Sequence, residues 1–176
     1  MTLNSDMPWP SVPDARQRVL DIQKKLHRWS KADKAKRFSD LFNLVYDRSM
    51  LVMAWDRVRS NRGSKTAGVD GMTRRHIEQR LGQERFLEGL RSSLKAHTYR
   101  PSPVREKGIP KAGGKVRYLG IPTIHDRVVQ MALKLVLEPI FEVDFYPSSY
   151  GYRPARRSQD AIAEIARYIN PPSSYE

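Results

Sequence analysis

The architecture of this chain rests on residues 109–122, which read Ile109-Pro110-Lys111-Ala112-Gly113-Gly114-Lys115-Val116-Arg117-Tyr118-Leu119-Gly120-Ile121-Pro122. Two short apolar runs flank a Gly-Gly pair, and this pattern predicts a β-hairpin. A two-residue loop at Gly113-Gly114 would place Lys111 and Arg117 on opposite faces of the ribbon. A three-residue loop, residues 113–115, would pair Lys111 directly with Arg117 and put both cations on one face.

A directly opposed pair of cations leaves two interpretations of the hairpin open. Like charges opposite each other destabilise a strand pair, so such a pair is expected where an anion normally lies between them. Alternatively, the lysines protect an exposed strand edge from aggregation. The hairpin by itself does not separate these interpretations.

Charge is the strongest compositional feature. The 176 residues carry a formal net charge of +13, which points to a polyanionic partner, most commonly nucleic acid. Residues 16–37 hold nine Lys/Arg against two Asp, and residues 100–117 hold six against one Glu.

There is no cysteine, and the four histidines lack metal-ligand spacing, so we expect neither a disulfide nor a metal site. No signal peptide, membrane span or amphipathic membrane helix is evident, which favours a cytoplasmic, nucleic-acid-associated protein without a membrane partner.

Hydrophobic periodicity predicts an α+β fold that is mostly helical, with one β-hairpin. We expect a disordered tail over residues 1–13, then helices over about 15–30, 34–46, 49–60, 73–81 and 84–96. Residues 99–103 are predicted to be extended, because each proline disfavours a helical predecessor. Thr123 should cap a strongly apolar helix that reaches about Leu137, with Pro139 kinking or restarting it. A last helix begins near Ser158, with Ile162, Ile165 and Ile169 on one side, and ends at residues 170–172. We expect the first helix to dock on RNA or on the domain rather than to belong to the core.

The segment 61–71 is predicted to be a loop, because it holds three glycines in nine positions. Glycines allow positive φ and let a backbone approach another group closely. The order of glycine, lysine and serine does not match a Walker-type phosphate loop. Asp70, between Val69 and Gly71, is interpreted as a turn former rather than a catalyst.

Several motifs follow one another in the order of a known family. They are Tyr99-Arg100-Pro101 with Val104, Ile109-Pro110-Lys111, Gly114-Lys115-Val116-Arg117, Leu119-Gly120-Ile121-Pro122-Thr123-Ile124, Asp126-Arg127-Val128-Val129-Gln130, Leu137-Glu138-Pro139-Ile140-Phe141-Glu142 and Ser149-Tyr150-Gly151-Tyr152-Arg153-Pro154. In this order and spacing they resemble the fingers region of a group II intron-encoded reverse transcriptase, or intron maturase. The resemblance implies the fingers subdomain of a right-hand polymerase, with palm and thumb missing. Tyr118 departs from the family pattern, which usually has proline there, and should be tolerated in a strand.

The resemblance also implies a division of the chain. Residues 14–60 would form an N-terminal helical extension that binds RNA, and residues 61–72 a glycine-rich loop that covers the template. Residues 73–170 would be the fingers region, and residues 171–176 a truncated end.

The same resemblance assigns site residues. Lys111 and Arg117 would hold the triphosphate of the incoming deoxynucleoside triphosphate (dNTP). Ile121 would pack against the templating base pair, although an ordinary core position is the alternative. The predicted nucleic-acid contacts are the basic residues of the extension, the loop, the hairpin region and a later aromatic-rich loop: Lys24, Lys25, Arg28, Arg62, Lys65, Arg100, Arg105, Lys107, Lys115, Arg153, Arg156 and Arg157.

The catalytic carboxylates of the family are not matched in this chain. Nucleotide transfer needs two metal ions about 4 Å apart, and in the family the palm carries their carboxylates, whereas this sequence has no Asp-Asp pair. Asp70, Asp126 and Asp144 each have a local structural interpretation. We therefore expect no catalytic residue here, Mg²⁺ only in the complete enzyme, and no polymerase activity from this chain alone. The expected partners are intron RNA, a template–primer, dNTP and a palm and thumb in cis or trans.

Two other functions remain open. The chain is alternatively a non-enzymatic, maturase-like module that assists intron RNA folding. An unrelated basic protein, such as a ribosomal one, is disfavoured by the ordered motifs and by the lack of low-complexity basic tails.

Overall fold

The computed structural model describes residues 8–169. Its helices are α1 (Val12–Ala32), α2 (Phe42–Val45), α3 (Arg48–Ser60), α4 (Arg74–His76), α5 (Gln83–Lys95), α6 (Ile124–Phe141) and α7 (Ser158–Ile169). Two strands, β1 (Arg105–Pro110) and β2 (Val116–Ile121), pair antiparallel. The prediction of a mostly helical α+β chain with a hairpin is confirmed. Within the described residues, no helix is long and apolar enough to cross a membrane.

The hydrophobic core lies where α1, α3 and α6 pack together. Trp55 of α3, Val19 of α1 and Val136 of α6 are each no more than 3% exposed. Helix α5 adds Phe86, whose ring centroid lies 5.4 Å from that of Trp55. Helices that precede the glycine-rich loop in the sequence and helices that follow it therefore share one core.

Helix α1 is part of this core, which corrects the expectation that it only docks from outside. Ala15, Val19 and Leu26 recur at helical spacing and are almost fully buried against α3 and α6. The opposite face is exposed and basic. The sequence alone underestimated the helix because its apolar stripe is narrow.

The beginning of α1 also differs from the prediction. The helix begins at Val12 instead of near residue 15, and its N-cap is Ser11, whose hydroxyl accepts a hydrogen bond from the Asp14 amide at 3.3 Å. Pro13 is tolerated because the first helical turn needs no amide donor from it. Trp9 packs on the core, with the Arg48 guanidinium 5.5 Å from its ring centroid. The predicted tail is therefore too long at residues 8–13, and its residues 1–7 lie outside the described part.

The prediction of a helix over residues 34–46 is wrong for most of that range. Only Phe42–Val45 is helical, and residues 33–41 are irregular. Phe38 and Leu41 still pack against the core from this irregular segment. The pattern resembled a helical stripe because a short irregular chain can also bury apolar residues three or four positions apart.

The region between α3 and the hairpin follows the prediction closely. The Thr73 hydroxyl caps α4 by accepting from the His76 amide at 3.4 Å, and a wider helical turn continues through residues 77–81. Gly82, with φ +86°, interrupts the helix before α5 begins at Gln83. Helix α5 ends one residue before its predicted end.

The hairpin is confirmed, but its register differs from the predicted one. Ile109 pairs with Arg117, Pro110 pairs with Val116, and the Lys111 amide donates to the Lys115 carbonyl at 2.8 Å. The three-residue loop is therefore Ala112-Gly113-Gly114 instead of residues 113–115. Gly113 and Gly114 have φ values of +76° and +74°, which glycine adopts without strain, so both fall inside the loop.

Helix α6 begins as predicted and ends later. The Thr123 hydroxyl accepts from the Asp126 amide at 3.1 Å. The helix continues through Pro139 to Phe141 without restarting.

Helix α7 begins at Ser158 as predicted, with Ile162 and Ile165 more than half exposed. Its predicted stop at residues 170–172 lies outside the described residues.

Candidate nucleic-acid interface

All the cations of the hairpin lie on one of its two faces. Residues paired across the strands share a face, and faces alternate along each strand. The observed register places every odd-numbered hairpin residue on the same side. We call that side the cationic face, because it carries Arg105, Lys107, Lys111, Lys115 and Arg117. The other face, residues 106, 108, 110, 116, 118 and 120, has Glu106 and no cation.

Lys111 and Arg117 share this face without being directly opposite. Lys111 lies beside Lys115 at the loop, while Arg117 lies opposite Ile109. The two predicted triphosphate ligands are thus diagonal neighbours, for which roughly 7–8 Å between Cα atoms is usual. Both residues are exposed, so an anion can approach them from solvent. Direct opposition of the two charges, as expected from the sequence, is wrong.

The hairpin borders a groove of about 860 Å³, which we call the hairpin groove. The hairpin contributes Lys107, Ile109, Leu119 and Ile121 of its cationic face, together with backbone of the neighbouring positions. The glycine-rich loop contributes Asn61, Gly63, Ser64 and Thr66, and α6 contributes Arg127, Gln130, Met131 and Lys134. The groove therefore combines an apolar lining with several cations. Lys111 and Arg117 lie nearer the hairpin tip, outside the lining.

Arg127 joins the loop, the hairpin and α6. Its guanidinium donates to the carbonyls of Gly63 at 2.6 Å, Thr66 at 2.9 Å and Pro122 at 3.0 Å. Burial lowers the pKa of Arg127, Asp70 opposes this shift and Arg105 adds to it. Arginine nevertheless stays charged in proteins, so the three contacts are charge-assisted hydrogen bonds.

Gly68 makes a second contact between the loop and α6. A Cβ atom at this position would lie 2.7 Å from the Cα of Thr123 and 2.8 Å from its amide nitrogen. Such distances leave no room for a side chain. The predicted close backbone approach therefore occurs, and its partner within the chain is the start of α6.

Asp70 is a turn former, as interpreted from the sequence. Its carboxylate accepts from the Met72 amide at 3.1 Å, which forms a local turn. The other carboxylate oxygen lies 3.8 Å from Nδ1 of His125 in α6. Burial lowers the pKa of His125, and Asp70 and Asp126 act in the opposite direction.

Asp126 is a buried structural carboxylate. It accepts hydrogen bonds from the Tyr99 hydroxyl, from the Thr123 hydroxyl at 2.6 Å and from the Ser102 amide at 3.4 Å. Burial and the hydrogen bond to Asp126 raise the pKa of Tyr99, so the phenol remains a donor. The segment 99–102 is thereby fixed to the first turn of α6. Asp144 lies in a short helical turn, residues 142–144, that follows α6.

Ile121 is 7% exposed and lines the hairpin groove. It is not among the residues of the main hydrophobic core. Burial and groove lining thus coincide at this position, and neither of the two predicted roles is eliminated.

The remaining predicted contacts fall into two groups. The exposed ones are Lys24, Lys25, Arg28, Arg62, Lys65, Arg105, Lys107 and Lys115. The others make contacts within the chain, although Arg100 and Arg157 are exposed as well: Arg100 donates to the carbonyls of His97 and Tyr99, Arg156 lies over the ring of Tyr150, and Arg157 pairs with Asp160. All of these cations except the half-buried Arg156 are therefore accessible to a polyanion from solvent.

Arg153 has a structural role. Its side chain is 7% exposed and forms an ion pair with Glu142 at 2.7 Å. It also donates to the carbonyls of Tyr146 and Ser149, each at 2.8 Å. These bonds occupy the guanidinium and fix the aromatic-rich loop after α6.

Two groove cations, Arg127 and Lys134, were not singled out from the sequence. Arg127 acts on carbonyls 61 and 64 positions earlier, and no local pattern encodes that contact. The sequence offered only one local signal, which is that Arg127 lies four residues after the Thr123 cap, in the first turns of α6. It also offered a glycine-rich segment, residues 61–71, whose partner in the fold was unknown.

No group of three or more His, Cys, Asp or Glu side chains in residues 8–169 could hold a metal ion.

Comparison with known proteins gives relatives from the family that the motifs resemble. The chain is similar to protein YkfC of Escherichia coli K12. The two are 39% identical over a stretch that covers 84% of this chain and 38% of YkfC. It is 33% identical to the group II intron-encoded protein LtrA of Lactococcus lactis over 74% of its length, and spans 21% of LtrA. Maturase-like protein 1 of Euglena gracilis is 25% identical over 82% of the chain, which spans 31% of that protein. No protein-family model matches the chain.

The chain is thus related to group II intron-encoded proteins and maturases over most of its length. The resemblance inferred from the motifs is confirmed. The chain spans well under half of each of these three relatives, so their whole-protein activities do not transfer with the resemblance.

Proposed function

We propose that this chain is the fingers part of a group II intron-type RNA-directed DNA polymerase and binds RNA through Arg105, Lys107 and Lys115 of the cationic face of its hairpin. One observation carries the proposal: the five hairpin cations share a face, and the other face has none. Cations placed only to prevent edge pairing need no preferred face. Cations gathered on one face beside a groove suit a phosphate backbone.

In this proposal Lys111 and Arg117 bind the triphosphate of the incoming dNTP. Arg117 can grip two phosphate oxygens with its planar guanidinium, while Lys111 provides a point charge. Such cations neutralise charge that develops on the leaving pyrophosphate. A palm and thumb, in cis or in trans, would supply the catalytic carboxylates that hold Mg²⁺ in the complete enzyme.

The RNA surface is tested by salt dependence. We expect Lys107→Ala combined with Lys115→Ala to weaken binding of single-stranded RNA. The slope of log K against log salt concentration should fall by about 1.4, because each phosphate contact on a single strand contributes about 0.7. Arg80→Ala combined with Lys95→Ala is the matched control, since it removes the same charge from exposed positions outside the hairpin. Equal changes of slope in the two pairs would overturn the proposal.

The triphosphate site is tested separately by NMR. Titration of the labelled chain with a dNTP should shift the signals of Lys111 and Arg117, and the unphosphorylated deoxynucleoside should not. Lys111→Ala with Arg117→Ala should abolish these shifts and leave RNA affinity unchanged. Loss of RNA affinity in this variant would instead assign the pair to the RNA backbone.

A second candidate function is a non-enzymatic, maturase-like RNA-binding module. It is favoured by the surface of α1, where the exposed cations Lys24, Lys25 and Arg28 adjoin Trp29, which is 43% exposed. None of these residues lines the hairpin groove. Basic residues beside an exposed aromatic ring suit structured or single-stranded RNA. Under this function, Lys24→Ala with Lys25→Ala should reduce affinity for intron RNA more than the hairpin pair does.

A further inference from the structure

We propose that Arg127 is the positioning residue that fixes the glycine-rich loop, residues 61–71, as a side of the hairpin groove. The inference concerns the loop itself and rests on the proposed function only for its effect on RNA binding. It assigns to a residue of α6 the control of a segment more than sixty positions earlier.

The geometry of the guanidinium carries the inference. Nε donates to Pro122 at the end of the hairpin, while the two terminal nitrogens donate to Gly63 and Thr66 of the loop. A planar fork with five hydrogens can reach three carbonyls at once. A lysine ammonium keeps the charge but cannot hold the same three acceptors in one plane.

The loop has few other ties at this point. Its own backbone bonds are short-range, from Ser64 to Asn61 and from Thr66 to Gly63. The buried Ser64 hydroxyl anchors the start of the loop to the Arg59 carbonyl at 3.0 Å. All three residues whose carbonyls Arg127 binds line the groove, and Arg127 lines it as well. Loss of these bonds therefore loosens the groove side of residues 63–66, while Ser64 keeps its bond to Arg59 and Gly68 stays packed against Thr123.

Native-state hydrogen exchange tests this assignment. In Arg127→Lys we expect the Thr66 amide to exchange at least about tenfold faster, because two charge-assisted bonds that hold its turn are lost. Amides in the middle of α3 and α6 should keep their rates. Arg80→Lys, an exposed position outside the groove, is the matched control and should leave Thr66 unchanged. An unchanged Thr66 rate in Arg127→Lys, or an equal acceleration of all amides, would overturn the inference.

A second variant covers the case in which Arg127→Lys does not fold. Arg127→Gln retains one amide donor group and should give the same local acceleration at Thr66. Equal exchange in Arg127→Gln and the native chain would also overturn the inference.

RNA binding distinguishes this inference from the proposed function. Arg127→Lys preserves charge, so a several-fold loss of single-stranded RNA affinity without a change of salt slope supports both. A faster Thr66 amide with unchanged RNA affinity supports the positioning role and counts against the hairpin groove as the RNA site.

Discussion

Gln23 of α1 donates a hydrogen bond to the main-chain carbonyl of Leu135 in α6 at 2.8 Å. In a regular helix this carbonyl would receive the amide hydrogen of residue 139, but Pro139 has none. The side chain of Gln23 replaces the missing donor. This bond explains how α6 continues through a proline, and it links the first helix to the centre of the fold.

Gln23→Leu should lower the free energy of unfolding by about 1–2 kcal/mol, because it leaves a partly buried carbonyl without a donor. Urea unfolding of the variant measures this loss. In the background of Pro139→Ala the residue at 139 has an amide that can bond Leu135, so the loss should be smaller there. A double-mutant cycle with no coupling between positions 23 and 139 would contradict this account.

Two glycines of the chain should respond to alanine with opposite signs. Gly68→Ala should destabilise the protein by more than about 1 kcal/mol, because its Cβ would lie 2.7 Å from the Thr123 backbone. Gly89→Ala lies inside α5 with nothing within 4 Å of the added Cβ, so it should stabilise by about 0.5–1 kcal/mol. Thermal or chemical unfolding of the two variants checks the pair. A neutral or stabilising Gly68→Ala would refute the close approach at Gly68, and a destabilising Gly89→Ala would refute the open space at Gly89.

Acidification should destabilise the fold through His125. Its pKa is lowered in the folded chain, chiefly by burial, so the unfolded chain binds the proton more readily. The contribution of His125 to stability is therefore complete above pH 6.5 and declines as the pH falls from there towards the folded pKa. Unfolding measured between pH 7.5 and about 5 should show a smaller loss in His125→Gln than in the native chain. Parallel profiles would show that His125 is not responsible.

The purified chain should not extend a primed RNA template when Mg²⁺ and nucleotides are supplied. The physical reason is that nucleotide transfer needs two metal ions, whereas residues 8–169 contain no group of three or more His, Cys, Asp or Glu side chains that could hold one. A primer-extension assay measures this directly, with a complete reverse transcriptase as positive control. Template-dependent extension by the chain alone would contradict the prediction.

Local patterns predicted most of the elements. The Thr123 cap, the apolar period of α6 and the Gly-Gly loop each act over a few residues, and all three occur in the structure. The hairpin register was missed by two positions in the strand pairing because three-residue loops at 112–114 and 113–115 both satisfy the Gly-Gly signal. The backbone hydrogen bond from Lys111 to Lys115 decides between them.

The candidate site was only partly predictable for a related reason. The cationic residues of the hairpin were evident in the sequence, and their common face follows from strand alternation once the register is known. Arg153 was misjudged as available because its ion pair with Glu142 depends on how the segment after α6 folds back. Arg127 was overlooked since its acceptors are backbone carbonyls, which every sequence position has.

The sequence by itself determined the excess of positive charge, the hairpin, the main helices and the kinship with intron-encoded proteins, because these depend on composition, short-range pattern and motif order. The tertiary structure alone decided that α1 belongs to the core, that Gln23 compensates Pro139, and that Arg127 holds the glycine-rich loop beside the cationic face. Each of these depends on groups separated by more than fifty positions or on burial in a shared core, and such contacts are fixed only when the helices pack.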